Sequence, residues 1–167
     1  MILVVADTAP LSYLVQIRCE FLLPRLYARV FIPGAVLSEL RHEGTPVAVR
    51  KWAADIPSWV EVRELDPTRP VEHDLAGLDP GEREAIELAC QVKADLLLID
   101  ERMGALVARR QGFAVTGTLG VLVEAAQAGL VSIKEAIRRL EKTNFRRTPE
   151  LLAQVLDLVR KRRGGDR

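Results

Sequence analysis

What most restricts the fold of this chain is a recurring unit: a short, wholly apolar run that stops at a polar residue, followed at once by a segment with helical periodicity. Ile2 to Ala6 stops at Asp7, and a helix with Pro10 in its first turn follows over Pro10 to Ile17. "LLLI", Leu96 to Ile99, stops at Asp100 and Glu101, and helix 101–111, strand 113–116 and helix 118–128 alternate after it. A strand apolar at every position is buried on both faces. That occurs in parallel sheets, whose crossover helices cover the two sides. The alternation therefore predicts an α/β fold, three-layered, with a central parallel sheet flanked by helices.

Other segments fit the same plan. Helices are expected at about 20–28, after Pro33, at 46–54, at 80–93, at 132–142 and at 148–162, and a short strand at Val30 to Ile32. "WVEVREL", Trp59 to Leu65, alternates apolar with charged residues and reads as an edge strand wet on one face. "DPTRPVEHDLAGLDP" is loop-like. With 167 residues, 49% of them hydrophobic, the chain can bury one core. One domain is expected, its main body at 1–145 and a basic helix and tail at 146–167 belonging to it.

Two cysteines, Cys19 and Cys90, lie in helix-like apolar stretches, and the chain starts directly on a strand pattern, which points to a reducing cytoplasm. No apolar run reaches the ~20 residues of a membrane span. Net charge is +1, yet residues 132–167 hold eleven Lys or Arg against five Asp or Glu, so the body is acidic and the C-terminal part basic. That part could lie on a polyanion such as RNA, or be a solvated helix face and frayed tail.

In open parallel sheets ligands bind beyond the carboxyl ends of the strands, where the strand order reverses. Asp7 and Asp100 fall at that edge. Each could simply cap the next helix, but two carboxylates closing two buried strands point to a site. In "LDPGEREAIELACQV", Asp79, Pro80 and Glu82 form a capping-box pattern. Glu82 also lies on the stripe of Ala85, Ile86, Ala89 and Val92 that should face the sheet, which makes it a better candidate than Glu84. Glu39 stands between Val36 and Leu40 on one apolar face, with Glu43 as the substitute if the helix phase differs.

"DTAPL", "IPGAVLSEL", "LDPGEREAIELA", "LLLIDERMGALVARRQG" and "TGTLGVLVEAAQAGL" together resemble the PIN-domain nucleases, in particular a VapC-like branch, over about residues 2–130. The resemblance implies a Rossmann-like sheet in which Asp7, Glu39, Glu82 and Asp100 surround one or two Mg²⁺ or Mn²⁺ ions. It further implies a toxin-type endoribonuclease, with a small antitoxin protein as partner and a homodimer as assembly. Thr116 or Thr118 matches the hydroxyl such proteins place after the next strand, although Thr118 equally fits a helix cap. Thr8 and Arg102 are further candidates for supporting the site or touching substrate. Ala105 stands where the branch carries a basic residue, which shifts RNA contact toward Arg102, Arg109 or the C-terminal arginines.

The chemistry of the residues agrees. Converging carboxylates repel one another, and a hard divalent cation with oxygen ligands removes the conflict. His42 and His73 have no zinc-type spacing to cysteine. Metal-assisted hydrolysis of RNA, leaving a 5′-phosphate and a 3′-hydroxyl, needs no side-chain nucleophile. Ala9, two residues after Asp7, argues against a haloacid-dehalogenase-like phosphatase; paired acids and a late lysine of a receiver domain are missing, as is a glycine-rich dinucleotide turn. A non-catalytic module binding RNA or protein through its basic helices is the alternative. Apolar residues in the early helices, Leu14, Ile17, Phe21 and Leu22, exceed what one sheet face should cover and give a second reason to expect a dimer.

Overall fold

A computed structural model describes residues 2–69 and 75–164, with side chains to residue 162. His73, part of the loop-like segment and the end of the basic tail lie outside the described residues. In chain order the elements are β1 (Val4–Ala6), α1 (Thr8–Gln16), α2 (Leu22–Tyr27), β2 (Val30–Ile32), α3 (Gly34–Leu40), α4 (Val47–Ala54) and β3 (Val60–Val62). They continue with α5 (Pro80–Val92), β4 (Leu96–Leu98), α6 (Arg102–Arg110), β5 (Ala114–Thr116), α7 (Thr118–Gln127), α8 (Ile133–Glu141) and α9 (Pro149–Gly164).

The five strands form one sheet in the order β3-β2-β1-β4-β5, every pairing parallel. Val4, Val5 and Ala6 stand opposite Leu96, Leu97 and Leu98. The expected α/β, three-layer architecture is what the chain adopts. Successive strand residues feed opposite layers, as the pleat requires: Val4, Ala6 and Leu98 join the core under α1, α2, α7, α8 and α9, while Val5, Leu97 and Ile99 join the core under α5 and α6. Val60 is buried and Glu61 and Val62 half-buried, as expected of an edge strand.

The C-terminal helices share the first of these cores: Ile133, Ile137 and Leu140 of α8 and Val155 and Val159 of α9 cluster with Leu14, Ile17 and Leu22. The apolar surplus of the early helices is thus covered by the same chain. Only Phe21 of the four stays exposed, so the argument for a dimer from surplus apolar area rests on that one ring. Cys19 and Cys90 are both unpaired. No helix among the described residues is long and apolar enough to cross a membrane.

The strand order reverses between β1 and β4. From β1 the chain builds outward to β2 and β3; it then returns to the centre and builds the other way to β5. The crevice at the carboxyl ends of β1 and β4 is where such a sheet offers a binding site.

Candidate metal centre

Asp7 follows β1 directly. Its backbone N–H donates to the Leu98 carbonyl of β4 at 2.9 Å, which fixes it against the neighbouring strand. It occupies the N-cap position of α1, yet its side chain makes no capping bond. The carboxylate is 4% exposed, and its Oδ1 is buried with no hydrogen-bond partner. Such an orphaned oxygen is costly unless a cation or proton meets it. Burial, reinforced by the negative charge of Asp79, Glu82 and Glu39, pushes the Asp7 carboxyl up to about 8.

Glu39 projects from α3 into the same crevice. It accepts from the Thr8 hydroxyl and, at 3.0 Å, from the backbone N–H of Gly81 in the first turn of α5. Asp79 caps α5: its side chain accepts from the Glu82 N–H at 2.8 Å, and Glu82 reaches back to the Asp79 N–H at 3.3 Å. Oxygens of Asp7, Glu39 and Asp79 all lie within 4.8 Å of one another. Three carboxylates at that separation, one of them holding an unpartnered buried oxygen, fit a hard divalent cation. The cleft they line, about 360 Å³, also takes in Thr8, Ser12, Tyr13, Glu82 and Glu101.

Glu82 is buried, and burial followed by the charge of Asp79 pushes its carboxyl up to about 7. It lines the cleft as the stripe of α5 predicts, whereas Glu84 and the exposed Glu43 do not. In the sequence Asp79 shows only as a helix cap; the structure makes the cap part of the acidic cluster. Gly81 carries the signal that could have revealed this. Glycine is a poor helix residue, and here a β-carbon would stand 2.5 Å from a Glu39 oxygen. Gly81→Ala should therefore leave folding stability equal or higher, yet weaken Mn²⁺ binding by about tenfold by displacing Glu39. Calorimetry together with a denaturation curve reads both; unchanged Mn²⁺ affinity contradicts the proposed role of Glu39.

Asp100 follows β4 on the same rim, but its carboxylate turns toward α7. It accepts from the Thr118 N–H at 2.7 Å and from the Thr118 hydroxyl at 2.6 Å. Two sequence expectations change here. Asp100 caps α7 across the crevice, while Glu101 caps α6 through the Gly104 N–H at 2.8 Å; and Thr118 is the first residue of α7, after Gly117 as N-cap, and a donor to Asp100. Gly117 is required because a β-carbon there would meet the Asp100 carboxylate. Burial raises the Asp100 pKa, against the lowering effect of Thr118 and of Arg147. Thr116, at the end of β5, packs its hydroxyl over Gly120 instead of lining the cleft.

A strap between α8 and α9 joins the two parts of the rim. Asn144 accepts from the Tyr13 hydroxyl at 3.0 Å, and Phe145 meets the Tyr13 ring edge-on at 5.0 Å. Arg147 lies 4.7 Å over the Phe145 ring and donates to the Asp100 carbonyl at 3.0 Å. Arg102 and Arg109 line a separate groove of about 1000 Å³ beside Asp100, between α6, α7 and α9.

A family model described as a PIN domain, DUF3368, matches residues 3–161. The chain belongs to the PIN-domain family. No curated protein and no solved structure matches it. PIN domains are in general metal-dependent nucleases acting on RNA, which accords with the acidic crevice of this PIN domain at its strand-order reversal.

Proposed function

We propose that this PIN-domain protein is a Mg²⁺- or Mn²⁺-dependent endoribonuclease of the cytoplasm, hydrolysing phosphodiester bonds at the crevice between β1 and β4. The observation that carries the reading is the buried Asp7 carboxylate, whose Oδ1 has no partner, clustered with Glu39 and Asp79 so that an oxygen of each lies within 4.8 Å of the others. Asp7, Glu39 and Asp79 are the residues to hold the ion. When bound, the ion supplies Lewis acidity, drawing charge from phosphodiester oxygens and making water a better nucleophile. Thr8 and the Gly81 N–H orient Glu39, and the Asp79–Glu82 capping box fixes Asp79. Glu82 is placed to take or release a proton, since its carboxyl titrates near 7. Asp100, held by Thr118, adds negative charge on the same rim.

The toxin role belongs to the same proposal. The groove beside Asp100 has apolar walls in Leu119, Val123, Val155 and Leu158 with Arg102 and Arg109 along it, which suits an acidic, partly apolar segment of a small antitoxin protein. A homodimer remains part of the proposal through exposed Phe21.

The test is cleavage of single-stranded RNA in Mn²⁺ by the wild type and by Asp7→Asn, Glu39→Gln and Asp79→Asn. Cleavage should cease in EDTA, and each variant should lose about 100-fold or more in rate while remaining folded. Cleavage that survives EDTA, or variants as active as wild type, refutes the metal centre. A folded wild type that binds RNA and never cuts it establishes the binding module instead.

A further inference from the structure

Behind the acidic cleft lies a second cavity, of about 490 Å³, with Arg18, Arg139 and Lys142 in its wall and no carboxylate among its lining residues. The two cavities are adjacent: Gln16 lines both, and Thr143 of the basic one is followed in the chain by Asn144 of the acidic one. Neither family membership nor the acidic cluster accounts for these cations.

The end of α1 fixes where Arg18 stands. It stands just past the C-terminal end of α1 with φ at 59°, a left-handed conformation that favours glycine. Its N–H closes the helix end on the Val15 carbonyl at 3.0 Å. Glycine would close that turn without strain, and Ala28 and Lys93 likewise take a positive φ at their helix ends. Arg139 is aimed into the same region by a 3.2 Å bond to the Ile17 carbonyl, and its other contact is the half-exposed Glu135, shared with Arg138. Arg18 and Lys142 are exposed.

We propose that Arg18, Arg139 and Lys142 form a phosphate subsite for single-stranded RNA, gripping a backbone phosphate that flanks the bond held in the acidic cleft. The proposal rests on the nuclease reading above. A site made of carboxylates repels a polyanion everywhere except at its bound ion, and a cationic cavity alongside gives the strand an anchor independent of that ion. Phosphate contacts position a strand without reading its sequence, so this pocket sets register and leaves base preference to other residues.

The experiment uses a fluorescein-labelled RNA of mixed sequence, about ten nucleotides long, a typical single-strand site size. Binding is measured across a salt series in EDTA and again in Ca²⁺, for wild type, Arg18→Gln/Lys142→Gln, and the charge-matched control Lys93→Gln/Arg110→Gln at the opposite sheet edge. The first pair should lose roughly tenfold in affinity and about 0.7 from the slope of log affinity on log salt, the value for one phosphate contact on a single strand. The control should change far less. Arg18→Gly, which suits the left-handed turn, should melt no lower than wild type and still bind RNA more weakly, separating the contact from the fold. In cleavage assays the loss should fall on KM more than on kcat. An Arg18→Gln/Lys142→Gln protein that binds like the control overturns the subsite; if the wild type still cuts RNA, only the subsite falls. A wild type that neither binds nor cuts RNA overturns both.

Discussion

Asp7→Asn should make the ion-free protein more stable at pH 8, by roughly 2–4 kcal/mol, while abolishing Mn²⁺ binding. The sign follows from burial. The Asp7 carboxyl sits at about 8 in the folded chain against 3.8 as its ordinary value, so the folded state holds a proton that the unfolded state has released across that interval. Stability in EDTA is then greatest below pH 4 as far as this group is concerned, and declines as pH rises toward 8. Asparagine keeps the shape and carries no charge. Denaturation in EDTA at pH 5 and pH 8 reads the effect: a falling profile for wild type, a much flatter one for Asp7→Asn. Mn²⁺ should restore the wild type at pH 8 in proportion to RT ln(1 + [Mn²⁺]/Kd) and leave the variant unmoved. A variant no more stable than wild type at pH 8 would show that the cleft tolerates the bare carboxylate, and the case for a resident cation would weaken.

Asp100→Ala should act in the opposite sense, costing about 2–3 kcal/mol with or without metal. Thr118 is fully buried, and both its N–H and its hydroxyl donate to this one carboxylate. Alanine strands two buried donors and uncaps α7, the helix on which α8 and α9 pack. Asp100→Asn retains an oxygen for the Thr118 N–H and should cost under about 1 kcal/mol. The pair of variants separates the two aspartates that look alike in the sequence: one is strained by its surroundings, the other anchors them. Urea curves for Asp100→Ala matching those of wild type would mean that α7 does not depend on this cap.

Why the two look alike is a matter of what a sequence can express. Each ends an apolar strand, and the strand pattern places both on the same rim, as the parallel pairing of β1 with β4 requires. Element order, the parallel sheet and the edge strand at Val60 were legible because period and burial leave a mark on every residue. Side-chain direction leaves none. Nothing in "LLLIDER" says that Asp100 turns toward Thr118, eighteen residues on, and that Glu101 takes over the local cap. Asp79 was obscured for the opposite reason: its local role as a cap was so complete that a second one left no trace except Gly81. The subsite cations were hidden because Arg18 and Lys142 are 124 positions apart and meet only where α1 ends beside α8.

The late arrival of β4 beside the central strand β1 has a consequence for how the molecule is made. A ribosome delivers β1 first, but one whole flank of that strand must wait for Leu96–Leu98 before it finds its partner. Until then the emerging chain carries an open apolar edge, the kind that pairs promiscuously. Asp7 likewise lacks the Leu98 carbonyl that locates it, so the acidic rim cannot be assembled before β4 has been made.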